Sequence, residues 1–231
     1  RTPYTWERKF EIDSLCYPMW LIHRLYYTTH KKELLDDRFI KTCEIIMDVF
    51  KKEQNHHQCS DYYHYREGEK EGFNIPNHGK GGKVAYTGMI WSGYRPSDDA
   101  CKYGYFIPGN MFAVVALRFM HELLLEINQT ELAIKAQTIA SEVENGIQKY
   151  GIYHHPKYGD IYAYETDGLG NYLLMDDANV PNLLSIPYFE YQSSNDKIYQ
   201  NTRRFCLSKD NPYYFEGKVL KGIGSPHTPN G

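Results

Sequence analysis

The sequence predicts an all-α fold of paired helices, arranged as half of an (α/α)6 toroid. Three observations carry that expectation. Apolar residues recur at helical spacing in neighbouring pairs of segments. In the second pair, an almost wholly apolar helix is followed by an amphipathic one, the pattern an inner and an outer helix require. The polar segment ahead of each inner helix carries acids, so parallel inner helices would gather those acids on one face. At 231 residues the chain is too short for six pairs. A single catalytic domain, partial and truncated at both ends, is therefore expected, with apolar inner-helix surface left open.

The elements follow in order. After a lead over 1–11, Asp13 or Ser14 is expected to cap a helix to about Thr29, with Leu15, Met19, Ile22 and Tyr26 on one stripe. Pro18 falls in its first turns, where a missing N–H is tolerated. Asp36 or Asp37 opens a second helix to about Glu53, with Phe39, Ile40, Cys43, Ile46, Met47 and Phe50 at helical intervals. Residues 55–83 are polar, His-rich and Gly-rich without periodicity, a connection long enough to expect function or mobility. A loop from Gly88 then feeds an apolar helix over about 108–127. Thr130 is expected to cap its partner, which runs through Ile134, Ile139, Val143 and Ile147. A short β-hairpin is predicted over 151–164, and a turn-rich loop over 164–171. Asp176 and Asp177 open a third inner helix over 178–191, with 195–208 as its amphipathic partner. Beyond 214 the chain reads as polar turn.

Composition narrows the function. Net charge is −3, which argues against a nucleic-acid partner. Tyrosine occurs 22 times, a residue suited to cores and to wet clefts that stack sugars. Five cysteines, an odd count with no Cys-x-x-Cys, predict neither a disulfide framework nor a zinc site. Buried thiols are expected at Cys16 and Cys43, and a reducing compartment fits. The longest apolar run is interrupted by Arg118, His121 and Glu122, so no membrane span is predicted. Localisation stays open between cytoplasmic and secreted.

Three segments hold the chemistry. The first offers Glu11 and Asp13. The second offers Trp91, Tyr94, Arg95, Asp98 and Asp99. One of these adjacent acids is expected to pair with Arg95. The other, shielded by Trp91 and Tyr94, is expected to hold a raised pKa, as a proton donor needs. The third offers Glu165, Asp167, Asn171, Asp176, Asp177 and Asn179, with Gly168 and Gly170 for tight turning. Aromatic faces, a guanidinium and many carboxylates on one face are the groups that bind sugar hydroxyls. No metal or cofactor is expected: there is no His-Glu-x-x-His or His-x-His spacing, and the pairs His56-His57 and His154-His155 are assigned to the surface. Gly-x-Ser-x-Gly is absent, and Gly79-Lys80-Gly81-Gly82-Lys83 lacks the phosphate-loop spacing.

Several blocks are long and unusual. They are Phe10-Glu11-Ile12-Asp13-Ser14-Leu15-Cys16-Tyr17-Pro18, Trp91-Ser92-Gly93-Tyr94-Arg95-Pro96-Ser97-Asp98-Asp99-Ala100 and Ile107-Pro108-Gly109-Asn110-Met111-Phe112-Ala113. Further on come Tyr164-Glu165-Thr166-Asp167-Gly168-Leu169-Gly170-Asn171, Leu174-Met175-Asp176-Asp177-Ala178-Asn179-Val180-Pro181 and Gly224-Ser225-Pro226-His227-Thr228-Pro229. Through them the chain resembles glycoside hydrolase family 125, the exo-acting α-1,6-mannosidases, almost end to end. The resemblance implies an (α/α)6 fold and metal-independent, inverting hydrolysis of terminal α-1,6-linked mannose from an oligosaccharide or N-glycan-derived substrate. It implies a general acid in the Arg-Pro-Ser-Asp-Asp block, Asp98 ahead of Asp99. Asp13, Trp91, Tyr94, Arg95, Asp167, Asp176, Asp177, Asn179 and His227 would contact substrate. The family's general base, a glutamate in a Met-His-Glu-Ser-Phe type motif, is not within these residues, so the fragment alone is expected to be inactive.

Two other classes fit the pattern less well. A non-catalytic helical scaffold or carbohydrate-binding protein would favour interchangeable loops and a fixed repeat, whereas these loops are long and unequal. Another (α/α)6 sugar enzyme would need basic groups for a lyase, or cleft histidines for an epimerase.

Overall fold

A computed structural model describes residues 3, 4, 7–68 and 73–226. It is predominantly helical with small antiparallel sheets. Helix α1 (Ile12–Thr29) starts immediately after Glu11 and has no side-chain cap. Neither Asp13 nor Ser14 caps it: Asp13 is already inside the first turn with its carboxylate turned into the protein, and Ser14 donates instead to Glu11 at 3.1 Å. Helix α2 (Asp37–Glu53) is capped as its sequence predicts, the Asp36 carboxylate accepting the N–H groups of Arg38 and Phe39 at 3.0 and 3.1 Å. A one-turn helix, α3 (His56–Cys59), follows at once.

Helix α4 (Ile107–Glu126) is buried along almost its whole length because it lies between α1 and α5 (Thr130–Tyr150). Pro108 in its first turn gives up an N–H that no helical carbonyl would have met. Asn110 is its one polar residue that ties the preceding loop: its Oδ1 accepts the N–H of Ile90 at 2.7 Å, and its Nδ2 donates to the carbonyls of Ile90 and Phe106. Thr130 is the first residue of α5 rather than its cap, and Gln129 at the cap position makes no side-chain bond there.

Strands β1 (Tyr105–Phe106), β4 (Glu165–Thr166) and β5 (Tyr172–Leu173) form one sheet in the order β1-β4-β5. The predicted hairpin is β2 (Ile152–His155) with β3 (Gly159–Tyr162), in register His155 to Gly159. Two segments read as turns are hairpins instead: β4–β5, and β6 (Tyr214–Glu216) with β7 (Lys221–Ile223).

The third inner helix does not form. Residues 178–191 make successive turns, although Leu183, Ile186 and Phe189 are buried as a helix would bury them. Pro181 and Pro187 each remove a helical N–H. Asn182 and Ser185 then satisfy one another's amides through their side chains, which holds the turn conformation. Its amphipathic partner does form: α6 (Lys197–Cys206) is capped by Asp196 on the N–H of Tyr199 at 2.9 Å. All five cysteines are free, and only Cys59 is exposed. No described helix is long and apolar enough to cross a membrane.

Candidate active site

The three acid-bearing segments touch one another. The carbonyl of Phe10, just ahead of α1, accepts the N–H groups of Gly93 and Tyr94 at 3.2 and 3.1 Å. Arg95 reaches the third segment, where its Nε meets Glu165 Oε1 at 2.5 Å. The hydroxyl of Tyr17 on α1 donates to the carbonyl of Val180 at 2.9 Å.

Arg95 therefore pairs with Glu165, not with Asp98 or Asp99. Glu165 is wholly enclosed, and its other oxygen accepts the N–H groups of Lys102 and Tyr103 at 2.8 and 2.9 Å. A carboxylate that is buried and supplied with donors is the stronger partner for a buried cation. The two adjacent aspartates diverge because Asp98 adopts a left-handed conformation, φ 65°. Its carboxylate is 65% exposed and lies 2.7 Å from Lys9 Nζ. Asp99 turns inward and accepts the Ser97 hydroxyl at 2.8 Å, while its carbonyl closes the turn on the Arg95 N–H.

Trp91 and Tyr94 offer no open ring face to a sugar. Trp91 is 1% exposed and lies flat against His56, with centroids 3.6 Å apart. Tyr94 is equally enclosed, its hydroxyl 2.6 Å from His64 Nδ1. His56 is buried, against the expected surface position, because Glu53 and the Lys80 carbonyl occupy its two ring nitrogens.

Beside the loop, the Glu11 carboxyl lies within electrostatic reach of both Asp13 and Asp98. Asp13 is 5% exposed, and its Oδ1 has no hydrogen-bond partner among the described residues. Burial first, and the neighbouring Glu11 carboxylate second, push its pKa up to about 7. Glu11 is also raised, chiefly by burial, with Asp98 adding repulsion. Glu11 therefore stands between a carboxyl able to carry a proton near neutrality, Asp13, and an exposed carboxylate, Asp98.

The polar groups of the third segment hold its own turns together. Asp167 closes the β4–β5 turn on Leu169 and Asn171. Asp176 is fully buried and accepts the N–H groups of Leu183 and Leu184 at 2.8 and 3.2 Å, so it caps the turns where a helix was expected. Its burial raises its pKa well above the usual carboxylate range. Asp177 accepts the Tyr164 hydroxyl at 3.0 Å and the Asn179 N–H at 2.8 Å, and Asn179 reaches Ser225 Oγ at 3.0 Å. His227 lies outside the described residues. Among the described residues, no three His, Cys, Asp or Glu side chains group to hold a metal ion.

Sequence reasoning named Glu165 among the candidate acids without a partner, and gave Lys9 and His56 no functional role. Glu165 carried a signal in its block, as a lone glutamate beside the turn that Asp167 closes. Lys9 and His56 carried none.

Comparison with known proteins agrees along the whole length. A family model described as metal-independent alpha-mannosidase (GH125) matches residues 1–231. The meiotically up-regulated gene 157 protein of Schizosaccharomyces pombe is 37% identical over 232 residues, covering 96% of this chain and 45% of the relative. A solved structure of a metal-independent alpha mannosidase from Streptococcus pneumoniae, a non-productive complex with alpha-1,6-mannobiose, superposes with a TM-score of 0.93 at 42% identity. That match covers 96% of this chain and 53% of the other. The chain spans about half the length of the relatives it matches.

Proposed function

From the premise that this chain belongs to the metal-independent alpha-mannosidase family (GH125), we propose that the protein is an exo-acting glycoside hydrolase that removes terminal α-1,6-linked mannose with inversion. The observation that supports the reading is Glu11 within electrostatic reach of both Asp13 and Asp98, on a segment that Phe10 ties to the loop of the buried Arg95–Glu165 pair, within the region matched to an enzyme seen with alpha-1,6-mannobiose. The full fold is an (α/α)6 toroid, to which this chain contributes two complete helical pairs and the turn-built third.

In this reading Asp98 is the general acid. Of the adjacent pair it alone has an open carboxylate, whereas Asp99 is turned onto Ser97. Asp98 protonates the leaving oxygen, and a base on the opposite face of the sugar ring activates water. The two carboxyls of an inverting enzyme stand roughly 6.5–9.5 Å apart to admit that water. The base comes from a Met-His-Glu-Ser-Phe type segment that these residues do not include. Asp13, Arg95, Asp177, Asn179 and His227 hold sugar hydroxyls. Trp91, Tyr94, Asp167 and Asp176 shape the loops that present them. The substrate is an α-mannoside oligosaccharide or N-glycan fragment, with no cofactor and no nucleic-acid or membrane partner.

Asp13 is a second candidate for the donor, favoured by the proton it keeps to about pH 7. Proton NMR of the full-length protein acting on α-1,6-mannobiose tests the reaction: β-mannose released first supports inversion, and α-mannose first refutes it. Comparing Asp98→Asn, Asp99→Asn and Asp13→Asn assigns the acid. The true donor loses about 10²- to 10⁴-fold in kcat. A leaving group that needs no proton, such as an activated aryl mannoside, restores activity to that variant alone.

A further inference from the structure

We propose that His56 is a positioning residue: it fixes Trp91 and thereby the loop carrying Arg95, Asp98 and Asp99. Its kinetic consequence rests on the mannosidase reading, while its structural consequence does not.

His56 sits in α3, one turn beyond α2, and is buried without being part of the apolar core. Its Nδ1 is 2.6 Å from Glu53 Oε2 and its Nε2 is 2.9 Å from the Lys80 carbonyl. A ring held at both nitrogens cannot turn or slide. Its face lies 3.6 Å from the Trp91 ring at an interplanar angle of 7°. Glu53 is itself fixed, since its other oxygen accepts the Ser60 hydroxyl at 2.5 Å. Glu53 reaches Trp91 a second time through its backbone, its carbonyl accepting the Trp91 N–H at 3.1 Å.

The indole has no room to retreat. A Cβ at Gly81 would stand 2.8 Å from it, and one at Gly104 2.7 Å. Both glycines have positive φ, 86° and 83°, so the backbone lies against the ring where a side chain could not. The next residue, Ser92, donates its N–H to the Gly104 carbonyl at 2.8 Å, and Gly93 and Tyr94 are held by Phe10. The position of Trp91 thus passes within four residues to Arg95. Burying Glu53, His56 and Ser60 carries a desolvation cost that apolar side chains would avoid. What the three supply is a ring locked in one orientation beneath the loop.

The test uses the full-length protein with His56→Gln, which keeps a donor and loses the stack, and Ser60→Ala, which frees one side of Glu53. The readouts are amide NMR shifts of 91–99, the Trp91 indole N–H, and kcat per folded molecule on α-1,6-mannobiose. His56→Gln is expected to shift the Arg95–Asp99 amides while leaving those of β2 and β3 in place. It should lower kcat by about 10- to 100-fold, the scale of a small misplacement of reacting groups. Ser60→Ala should produce the same changes more weakly. A folded His56→Gln protein with unmoved Arg95–Asp99 amides and wild-type kcat overturns the proposal. Should His56→Gln not fold, Ser60→Ala decides on the same readouts. A wild-type protein that does not cleave mannobiose refutes the mannosidase reading, and the amide shifts still decide the positioning role.

Discussion

Arg95 and Glu165, 70 residues apart in sequence, form a buried ion pair with Nε 2.5 Å from Oε1. Burial, the largest single effect, works against the charge of Arg95, but the Glu165 carboxylate together with Cys101 and Tyr164 raises its pKa above the ordinary guanidinium value. Glu165→Gln puts an NH2 against the amides of Lys102 and Tyr103 or against Arg95, and leaves a buried cation without its counter-charge. Breaking such a pair costs about 3–5 kcal/mol. Urea unfolding should show that loss for Glu165→Gln. The double variant Arg95→Met, Glu165→Met should lose less, because no charge is then left unpaired. A double variant less stable than the single one would overturn this account.

Asp13 makes a pH-dependent contribution of opposite sign to that of a salt-bridged acid. Its folded pKa, about 7, lies above the ordinary 3.8, so the folded state favours its protonated form. Its favourable contribution is complete below about pH 3.8 and declines as pH rises to about 7. At ~1.4 kcal/mol per tenfold change in proton affinity, the whole swing is about 4 kcal/mol at most. Asp13→Asn should remove that dependence, gaining stability over the parent at pH 8 and little at pH 4. Unfolding curves at the two pH values check it. Equal gains at both would show that Asp13 titrates as an ordinary carboxyl.

Asp176 is a structural acid. Both of its oxygens accept backbone N–H groups that would otherwise be buried without partners, those of Leu183 and Leu184. Removing a buried partner in this way costs about 1–3 kcal/mol per group left unsatisfied. Asp176→Ala should lower the unfolding midpoint and speed hydrogen exchange at Leu183 and Leu184. Asp177→Ala, whose partners are the Tyr164 hydroxyl and Asn179, should leave exchange at those two amides unchanged.

These contacts also mark what the sequence could and could not disclose. Helix α2 was legible because Asp36 caps it and its apolar residues follow one face. The β2–β3 hairpin was legible because its turn residues sit between short alternating runs. The segment 178–191 misled because Leu183, Ile186 and Phe189 keep helical spacing while Pro181 and Pro187 forbid the hydrogen bonds of a helix. At the site, the gathering of acid-bearing segments could be anticipated, since each precedes an inner element. The partner of Arg95 could not, because ion pairing depends on burial and on donors from Lys102 and Tyr103 that only the fold supplies. His56 reads as a surface residue because adjacent histidines point apart on regular structure, and the polar stretch around it gives no sign of which one turns inward.

Gly68 and Gly104 separate backbone conformation from packing around Trp91. Their φ angles match, 84° and 83°. A Cβ added at Gly68 meets nothing within 4 Å among the described residues, whereas one at Gly104 meets the Trp91 ring at 2.7 Å. Gly68→Ala therefore carries only the left-handed backbone penalty, about 1–2 kcal/mol. Gly104→Ala adds an overpacking cost of about 1–3 kcal/mol, since the indole is already fixed by His56 on one face. Chemical denaturation should rank Gly104→Ala below Gly68→Ala by that difference. Near-ultraviolet circular dichroism should change for Gly104→Ala alone, because only that substitution displaces a buried tryptophan. Equal losses for the two variants would mean that Trp91 can move aside, and that the surroundings of the indole are softer than its contacts with His56, Gly81 and Gly104 imply.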